Sequence, residues 1–441
     1  MISQELNDRI TRVEAGTGAG AVLRHHWQPA ALSDELAGPR PVVPVTLMGE
    51  RLVLFRDNSG RLGLVGRHCP HRGADLAYGR CEDDGLRCPF HGWHFDRTGR
   101  CVEQPGEPEG STMHERVRTT AYPVEERAGI VWAYMGPGEA PPVPALDCFA
   151  APDSHVFAFK GLWECNWLQA LEVGIDPAHA SFLHRFLRDE DPRDGYGRQF
   201  RDGVEGAAEV PMTRLLREYP RPEIVVEEAD HGLRLTALRR MADGRTHVRV
   251  TNQVFPNAIC IPMSREMTIT QWHVPVDDVT CYWYSVFTSF GAPVDKERMR
   301  AQRLAEHDLP DYRPKKNRAN AYGFDPAEQA AETYTGMGLD INVHDQWAVE
   351  GLGPIQDRTK EHLGRTDVGI VRYRRALRAA IDAVEAGRPD AMALRGEGAA
   401  GVTGPVSIDV IAPEGADWRR AARDADAARR APCSWLRAAA E

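Results

Sequence analysis

The sequence predicts an α+β protein in which a small all-β domain precedes a larger domain, whose antiparallel sheet is flanked by helices. The first observation is length, because 441 residues exceed one ordinary domain and suffice for two cores. The second is a change of pattern from short, strand-like runs to a mixture of helices and longer strands. The third is the Pro/Gly-rich stretch at 136–142, which is the best candidate for a boundary. We therefore predict domains over 41–148 and 149–441, and a helical segment over 1–40 that packs on the larger domain.

The elements of the first 148 residues are short and are separated by turn residues. Residues 1–40 carry an amphipathic helix that a Gly-rich stretch interrupts. The Asp57–Gly60 stretch is a hairpin signal between two of the strands that follow. Strands are predicted at 43–47, 52–55, 62–65 and 129–135.

The larger domain is predicted to begin with a helix from Trp163 to about Leu187. Alternating apolar and polar residues then indicate an antiparallel sheet with one covered face. Its strands are predicted at 222–228, 233–240, 246–263, 266–275 and 279–289. Further helices are predicted at 297–307, 341–350, 367–386 and, as a surface or interface helix, 416–440.

Composition and charge exclude several classes of function. The formal charge of −10, without a basic block, makes nucleic acid an unexpected partner. No apolar run is long enough to span a bilayer, and the polar N-terminus lacks the layout of a signal peptide, so we expect no membrane association. The nine cysteines form no disulfide framework, which favours a reducing cytoplasm.

Two Cys/His pairs form the strongest motif of the chain. Cys69-x-His71 is followed after sixteen residues by Cys88-x-x-His91, and both pairs lie in Pro- and Gly-bearing loops. A Rieske [2Fe–2S] centre needs this set, because one iron binds two thiolates and the other binds two imidazoles. A structural zinc site also uses two Cys and two His, but it usually groups like residues together. The alternation therefore favours the Rieske centre and one-electron chemistry.

A second set of metal-binding residue types follows in Asp176-x-x-His179-x-x-x-x-His184. Two His and one carboxylate form the facial triad of non-haem Fe(II) oxygenases, which leaves metal positions open. Residues five apart on an ideal helix point about 140° away from each other. Convergence on one metal therefore requires a distorted helix, or one His at a helix end. The alternative is two polar residues on a partly exposed helix.

These motifs together resemble the oxygenase component (α subunit) of the Rieske non-haem iron ring-hydroxylating oxygenases, in the phthalate 4,5-dioxygenase-like branch. The resemblance is carried by 69–73, by 88–93, by the order of Asp176, His179 and His184, and by 353–364. It implies a catalytic domain of the helix-grip (START-like) type. The implied cofactors are a Rieske [2Fe–2S] cluster and mononuclear Fe(II), with O2 as cosubstrate. The implied cluster ligands are Cys69, His71, Cys88 and His91, and the implied ligands of the mononuclear iron are His179, His184 and Asp345.

The carboxylate ligand is an Asp well over 100 residues later in this family, followed by a Glu or Gln a few residues on. Asp345 fits that pattern, and Asp340 and Asp357 are its rivals. His344 is expected on a different helix face and is left out of the ligand set.

A separate catalytic role is implied for Asp176. In the family the matching Asp bridges two subunits, from a His of the mononuclear iron to a Rieske His of the neighbour. An outer-shell carboxylate typically accepts the free N–H of a ligand His. The alternative is an acidic residue favoured by the dipole at a helix start.

The resemblance implies a terminal oxygenase that hydroxylates an aromatic compound, expected to be a carboxylate such as phthalate or chlorobenzoate. A separate flavin/iron–sulfur reductase would deliver electrons from NAD(P)H, and the oxygenase would be a homotrimer or two stacked trimers without a β subunit. A monooxygenase or aryl O-demethylase on the same scaffold, and a Rieske electron carrier without oxygenase activity, stay open as alternatives. An anionic substrate would favour an Arg in the pocket; the candidates are Arg198, Arg201, Arg239 and Arg240.

Overall fold

The α+β class predicted from the sequence is confirmed by a computed structural model, which describes residues 1–188, 212–264, 266–394, 404–433 and 435–436. The helices of these ranges are α1 Gln4–Thr11, α2 Gly18–Arg24, α3 Asp147–Ala150, α4 Trp167–Ile175, α5 Ala180–Leu183, α6 Met212–Glu218, α7 Lys296–Glu306, α8 Pro326–Ala331, α9 Ile341–Glu350, α10 Val368–Glu385 and α11 Trp418–Arg430. The strands are β1 Gln28–Leu32, β2 Val42–Leu47, β3 Glu50–Arg56, β4 Leu62–Gly66, β5 Arg80–Glu82, β6 Gly85–Arg87, β7 His94–Phe95, β8 Cys101–Glu103, β9 Ala121–Tyr122, β10 Val124–Arg127, β11 Ile130–Ala133, β12 Val156–Trp163, β13 Glu223–Ala229, β14 Gly232–Arg240, β15 Thr246–Val254, β16 Ala258–Pro262, β17 Met267–Pro275, β18 Cys281–Ser289, β19 His307–Asp308, β20 Arg313–Pro314 and β21 Ile408–Ala412.

Two four-stranded sheets form the small β domain, in the orders β2-β3-β4-β9 and β5-β6-β7-β8. The second sheet presents one Cys/His loop between β6 and β7, and the other loop precedes β5. Apolar side chains from both sheets bury a common core, which includes Val53, Phe55, Val65, Leu86 and Phe95. Cys69 and Cys88 belong to this core, so both loops are anchored in it.

A third, three-stranded sheet has the order β1-β11-β10. Strand β1 was not predicted, because its sequence Gln-Pro-Ala-Ala-Leu has little strand propensity. Pairing with β11 stabilises it, in a register that sets Gln28 opposite Ala133. The segment before the small domain is thereby tied to the strand that ends it.

The larger domain is built on an eight-stranded sheet. Seven of its strands have the order β12-β18-β17-β16-β15-β14-β13, and the eighth, β21, pairs with β15. One face carries α4 and α10; a Cβ at Gly369 of α10 would lie 2.5 Å from Leu235, so the helix sits directly on the strand. The opposite face buries Leu238 and Val248 against Ala422 of α11. The sheet therefore lies between helices on both faces.

The predicted helix from Trp163 to Leu187 is wrong at its start, because Trp163 ends β12 and pairs with Cys281. Its remainder is two helices, α4 and α5, rather than one. The predicted strand at 246–263 is likewise two strands, β15 and β16.

Helices α1 and α2 contact the larger domain. Arg9 donates to Asp382 at 2.6 Å and to Glu385 at 2.7 Å on α10, and Arg12 pairs with Asp278 at 2.8 Å.

The exact domain limits stay a prediction. Among the helices of the described ranges, none combines the length and the hydropathy that a bilayer crossing demands.

Candidate metal centres

The two Cys/His loops share one backbone hydrogen-bond pattern. In each loop the Cys N–H donates to the carbonyl five residues on, and the Gly four residues on donates back to the Cys carbonyl, at 2.8–3.0 Å. Gly73 and Gly92 have φ of +78° and +75°, which is the left-handed region that favours glycine. The matching turns explain why both loops carry a Gly at that position.

The four side chains of these loops lie together. The rings of His71 and His91 are 4.5 Å apart, and Trp93 stacks on His71 at 4.3 Å. Burial, and after it the neighbouring Cys88 thiol, raises the pKa of Cys69 to about 11, so a bound cation is needed to hold it as thiolate. Nδ1 of His91 is buried and has no hydrogen-bond partner in the described part of the chain. This donor set fits a [2Fe–2S] cluster with two sulfur and two nitrogen ligands.

The segment of the second site folds as two short helices with a break between them. Asn166 caps the start of α4 by accepting a hydrogen bond from Leu168 N at 3.1 Å. The helix ends at Ile175, because Pro177 disfavours a helical conformation at Asp176. Oδ1 of Asp176 then accepts from Ala178 N at 2.7 Å and stabilises the turn.

His179 and His184 lie at the two ends of the one-turn helix α5. His179 still has helical backbone angles, but His184 has left them (φ −105°, ψ +23°), so the 140° separation of an uninterrupted helix does not hold for the pair. Their Nε2 atoms are 3.2 Å apart, and Asp345 Oδ1 lies 3.3 Å from His184 Nε2 and 3.8 Å from His179 Nε2. Asp345 is on α9, which Asp340 caps by accepting from Asn342 N at 3.0 Å.

The two imidazole nitrogens and the carboxylate oxygen are donor atoms suited to a divalent cation. Asp345 Oδ1 is buried and accepts no hydrogen bond from any residue that the structure describes. Burial, reinforced by His184, lowers the pKa of His179. Burial alone would raise the pKa of Asp345, but His184 and His179 outweigh it and lower the pKa. Neutral imidazoles and an ionised carboxylate are the forms that bind metal.

The backbone of Asp176 orients His179. Its carbonyl accepts a short hydrogen bond from His179 Nδ1, so the lone pair of the ring is on Nε2, toward Asp345. The Asp176 carboxylate therefore does not hold His179 within this chain. Burial raises the pKa of that carboxylate.

His344 lies closer to the site than the sequence suggested. It is not part of the triad, but its ring stacks on His184 with centroids 5.7 Å apart, and the two Nδ1 atoms are 3.5 Å apart. The sequence expectation left His344 out of the ligand set, and it stays outside the group of three, but the contact with His184 was not anticipated. The one signal for it was its position directly before Asp345.

The rival carboxylates lie elsewhere. Asp340 is the cap of α9, and Asp357 accepts from Thr359 in a turn. Of the described histidines, cysteines and acidic residues, only His179, His184 and Asp345 are grouped closely enough to share one ion through one atom each.

Among the arginine candidates, Arg239 is set apart by burial. It is 1% exposed, donates from Nη2 to Ser181 Oγ at 3.2 Å, and has no partner for Nε and Nη1 among the described residues. Burial, followed by Arg249, lowers its pKa to about 10. Arg240 instead pairs with Glu223 at the surface. Arg198 and Arg201 lie outside the described residues.

Comparison with known proteins identifies both parts of the chain. Residues 26–123 match the profile of the Rieske [2Fe-2S] domain, and residues 133–433 match the profile described as LigXa C-terminal domain like. The phthalate 4,5-dioxygenase oxygenase subunit of Pseudomonas putida is 35% identical over 95% of this chain and 94% of its own length. The 5,5'-dehydrodivanillate O-demethylase oxygenase subunit of Sphingobium sp. is 34% identical over 85% of this chain and 79% of its own.

A solved structure supports the fold. Dicamba monooxygenase bound to 3,6 dichlorosalicylic acid superposes with a TM-score of 0.57 at 19% identity, over 83% of this chain and 99% of that one. The oxidoreductases matched here are oxygenase components, which use a Rieske cluster, a mononuclear iron and O2. The chain accordingly belongs to the Rieske non-haem iron oxygenases, as an oxygenase component of the phthalate 4,5-dioxygenase-like branch.

Proposed function

We propose that this oxygenase hydroxylates an aromatic carboxylate, and that Arg239 binds the carboxylate. The cluster is held by Cys69, His71, Cys88 and His91, and the mononuclear iron is held by His179, His184 and Asp345. The observation that carries the substrate class is the buried guanidinium of Arg239, with two nitrogen atoms left without a partner among the described residues.

The position of Arg239 suits a substrate that reacts at the iron. Its only described hydrogen bond goes to Ser181, which lies on α5 between the two ligand histidines. A buried charge without a partner is costly, and a carboxylate relieves that cost with two parallel hydrogen bonds. The substrate ring would then extend from this anchor toward the triad.

When bound, the cluster supplies single electrons and the mononuclear iron supplies O2 activation. The protein supplies the surroundings. His179 and His184 keep their lone pairs on Nε2 through hydrogen bonds at Nδ1, and Asp345 adds one negative charge. His273 of the sheet is fully buried, lies near enough to Asp345 to be affected by its charge, and has Gln271 Nε2 at 3.3 Å from its own Nε2.

A second candidate function is O-demethylation. One relative with similar coverage is a demethylase oxygenase subunit, and the same three metal ligands serve either reaction. Product identification separates the two. A plain electron carrier is a different class, and it would bind only the two irons of its cluster.

The test of the carboxylate proposal compares acids with their neutral amides. Phthalate, benzoate and 3-chlorobenzoate are assayed for NADH-linked O2 uptake and product with a phthalate-type reductase. Losing a charged hydrogen-bond partner costs about 1.5–3 kcal/mol, so Arg239→Gln should raise KM for the accepted acid by roughly 10- to 100-fold. Arg240→Gln is the matched control and should leave KM unchanged.

Two outcomes would contradict the proposal that Arg239 binds a substrate carboxylate. One is equal turnover of acid and amide by the unaltered protein. The other is an unchanged KM in an Arg239→Gln protein with full iron content.

We further propose a ring of three identical chains, or two stacked rings, in which electrons cross between subunits. Exposed aromatic side chains flank both metal sites: Phe90 (56% exposed) beside the cluster, and Phe182 and Trp347 (47% and 41%) beside the triad. Contact surfaces are marked by contiguous exposed apolar patches, and we propose that these aromatic side chains contribute to two of them. A heterologous contact between two different surfaces closes into a ring.

In this ring Asp176 of one chain would connect its His179 to a cluster histidine of the next, as its family counterpart does. Its carboxylate makes no bond to His179 within the chain, which leaves it for such a contact. A separate reductase supplies the electrons. We propose that the enzyme is cytoplasmic, which agrees with nine cysteines that form no disulfide.

A further inference from the structure

We propose that His344 is a positioning residue, which fixes the ring of His184 for iron binding. Helix α9 contacts His184 at both ring nitrogens through consecutive residues. Asp345 Oδ1 lies 3.3 Å from Nε2, and His344 Nδ1 lies 3.5 Å from Nδ1. His344 has this role only if His184 binds the iron, as proposed above.

The direction of the hydrogen bonds follows from one carbonyl. His344 Nε2 lies 2.9 Å from the Gly338 carbonyl, which can only accept, so the hydrogen of the neutral His344 ring is on Nε2. His344 Nδ1 then has a lone pair and accepts from His184 Nδ1. His184 is thereby held in the tautomer whose Nε2 lone pair faces His179 and Asp345.

The accepting carbonyl is itself held in place. Gly338 has φ of +87°, and its N–H donates to Glu328 of α8 at 2.7 Å. A Cβ at this position would lie 2.4 Å from Lys316 Nζ, so the backbone packs closely against that side chain. The path Glu328–Gly338–His344–His184 therefore connects a surface helix to the iron site.

His344 is an outer partner and not a fourth ligand. Both of its ring nitrogens are engaged, one with His184 and one with Gly338, and its side chain is fully buried. His179 uses a backbone carbonyl in the same role. The two ligand histidines thus differ, because a side-chain substitution can remove the acceptor of His184 but not that of His179.

The experiment measures Fe(II) affinity by competition with a chelator, in the intact protein with its cluster in place. Loss of an outer partner of a ligand histidine weakens metal binding by about 10- to 100-fold, so His344→Leu should show a loss in that range. His344→Gln offers one acceptor and one donor, and should bind Fe(II) within about threefold of the unaltered protein. The cluster EPR signal and the thermal midpoint report on the fold.

A matched control is His231→Leu, which removes another buried histidine with one ring hydrogen bond, to Asn252. It should leave Fe(II) affinity unchanged. Unchanged affinity in His344→Leu would overturn the proposal, and so would equal losses in His344→Leu and His344→Gln, which would indicate packing alone. His184→Ala is measured in parallel: if it retains iron, the ligand assignment fails and not the role of His344 toward His184.

Discussion

In the proposed iron site, His179 and His184 would present the same atom, Nε2, to the metal for different local reasons. His179 Nδ1 donates to the Asp176 carbonyl, and by our inference His184 Nδ1 donates to the His344 ring. Because both acceptors belong to the folded chain itself, we expect the geometry of the two histidines to be preorganised for iron. The same arrangement leaves the Asp176 carboxylate engaged only with Ala178 among its described hydrogen bonds.

The Asp176→Asn substitution tests what that carboxylate does. The amide oxygen can still accept from Ala178, so the turn and both metal sites should persist. Losing the charge should slow turnover by at least about tenfold, as expected for an outer-shell partner. Rapid-freeze EPR should show slower reoxidation of the reduced cluster. Normal coupled hydroxylation in a fully metallated protein would show that Asp176 only shapes the helix start.

At this scale, residue type and spacing imply eight site residues, because metal ligands come in recognisable combinations, and their roles stay a prediction; the structure does bring His179, His184 and Asp345 together. Arg239 could not be singled out from the sequence, since only tertiary contacts reveal which arginine is buried without a carboxylate. His344 was dismissed by a helical-face argument. Its conclusion that His344 is no ligand stays a prediction, but it missed a contact, because His184 is wide enough for two consecutive residues of α9 to reach its opposite edges.

Helix α4 places the second site through an ionic network on its buried face. Glu172 accepts from Arg358 at 2.8 Å and from Arg374 at 2.5 Å and 2.9 Å, which joins α4 to α10 and to the segment after α9. Arg358 is fully buried. A complete buried network of this kind contributes little net free energy to folding. Removing one partner, however, leaves opposite charges buried without full compensation.

Glu172→Leu should therefore lower the free energy of unfolding by about 3–5 kcal/mol, because buried Arg358 loses its carboxylate and Arg374 keeps only Glu361. Urea unfolding followed by tryptophan fluorescence gives the value. The control is Glu164→Gln, whose partner Arg313 is about half exposed. That change should cost no more than about 1 kcal/mol. Equal effects of the two substitutions would contradict a special role of the buried network.

Elements with strong alternation were predicted well, as β13, β14, β17 and β18 show. Those that depend on a distant partner were not. Strand β21 exists because Ile408–Ala412 pairs with β15, some 160 residues earlier. The break after α4 could be anticipated from Pro177, whereas the strand that ends at Trp163 could not be told from a helix start by its apolar residues.

At the scale of the whole molecule, the proposed ring separates donor and acceptor of each electron into different chains. This makes two inactive proteins complementary. Cys88→Ser should lose the cluster and keep the mononuclear iron, and Asp345→Ala should do the reverse. Mixed in equal amounts and allowed to exchange subunits, they should regain about one quarter of the activity, since half the donors meet half the acceptors.

Each variant alone should be inactive, and iron analysis with EPR should verify which metal each retains. Light scattering should give a trimer or hexamer for both. An inactive mixture, despite proven subunit exchange, would show that electrons stay within one chain. An active monomer would exclude the ring altogether.

The two metal sites also differ in when the growing chain can complete them. The ribosome has added all four proposed cluster ligands once it reaches His91, whereas the proposed triad is complete only at Asp345, about 250 residues later. At ribosomal speeds this separates the two events by roughly 10–50 s. We thus expect the small domain to fold and accept a cluster before the larger domain has been synthesised. We therefore expect translation itself to order the maturation of this protein, with cluster insertion possible first and iron capture last.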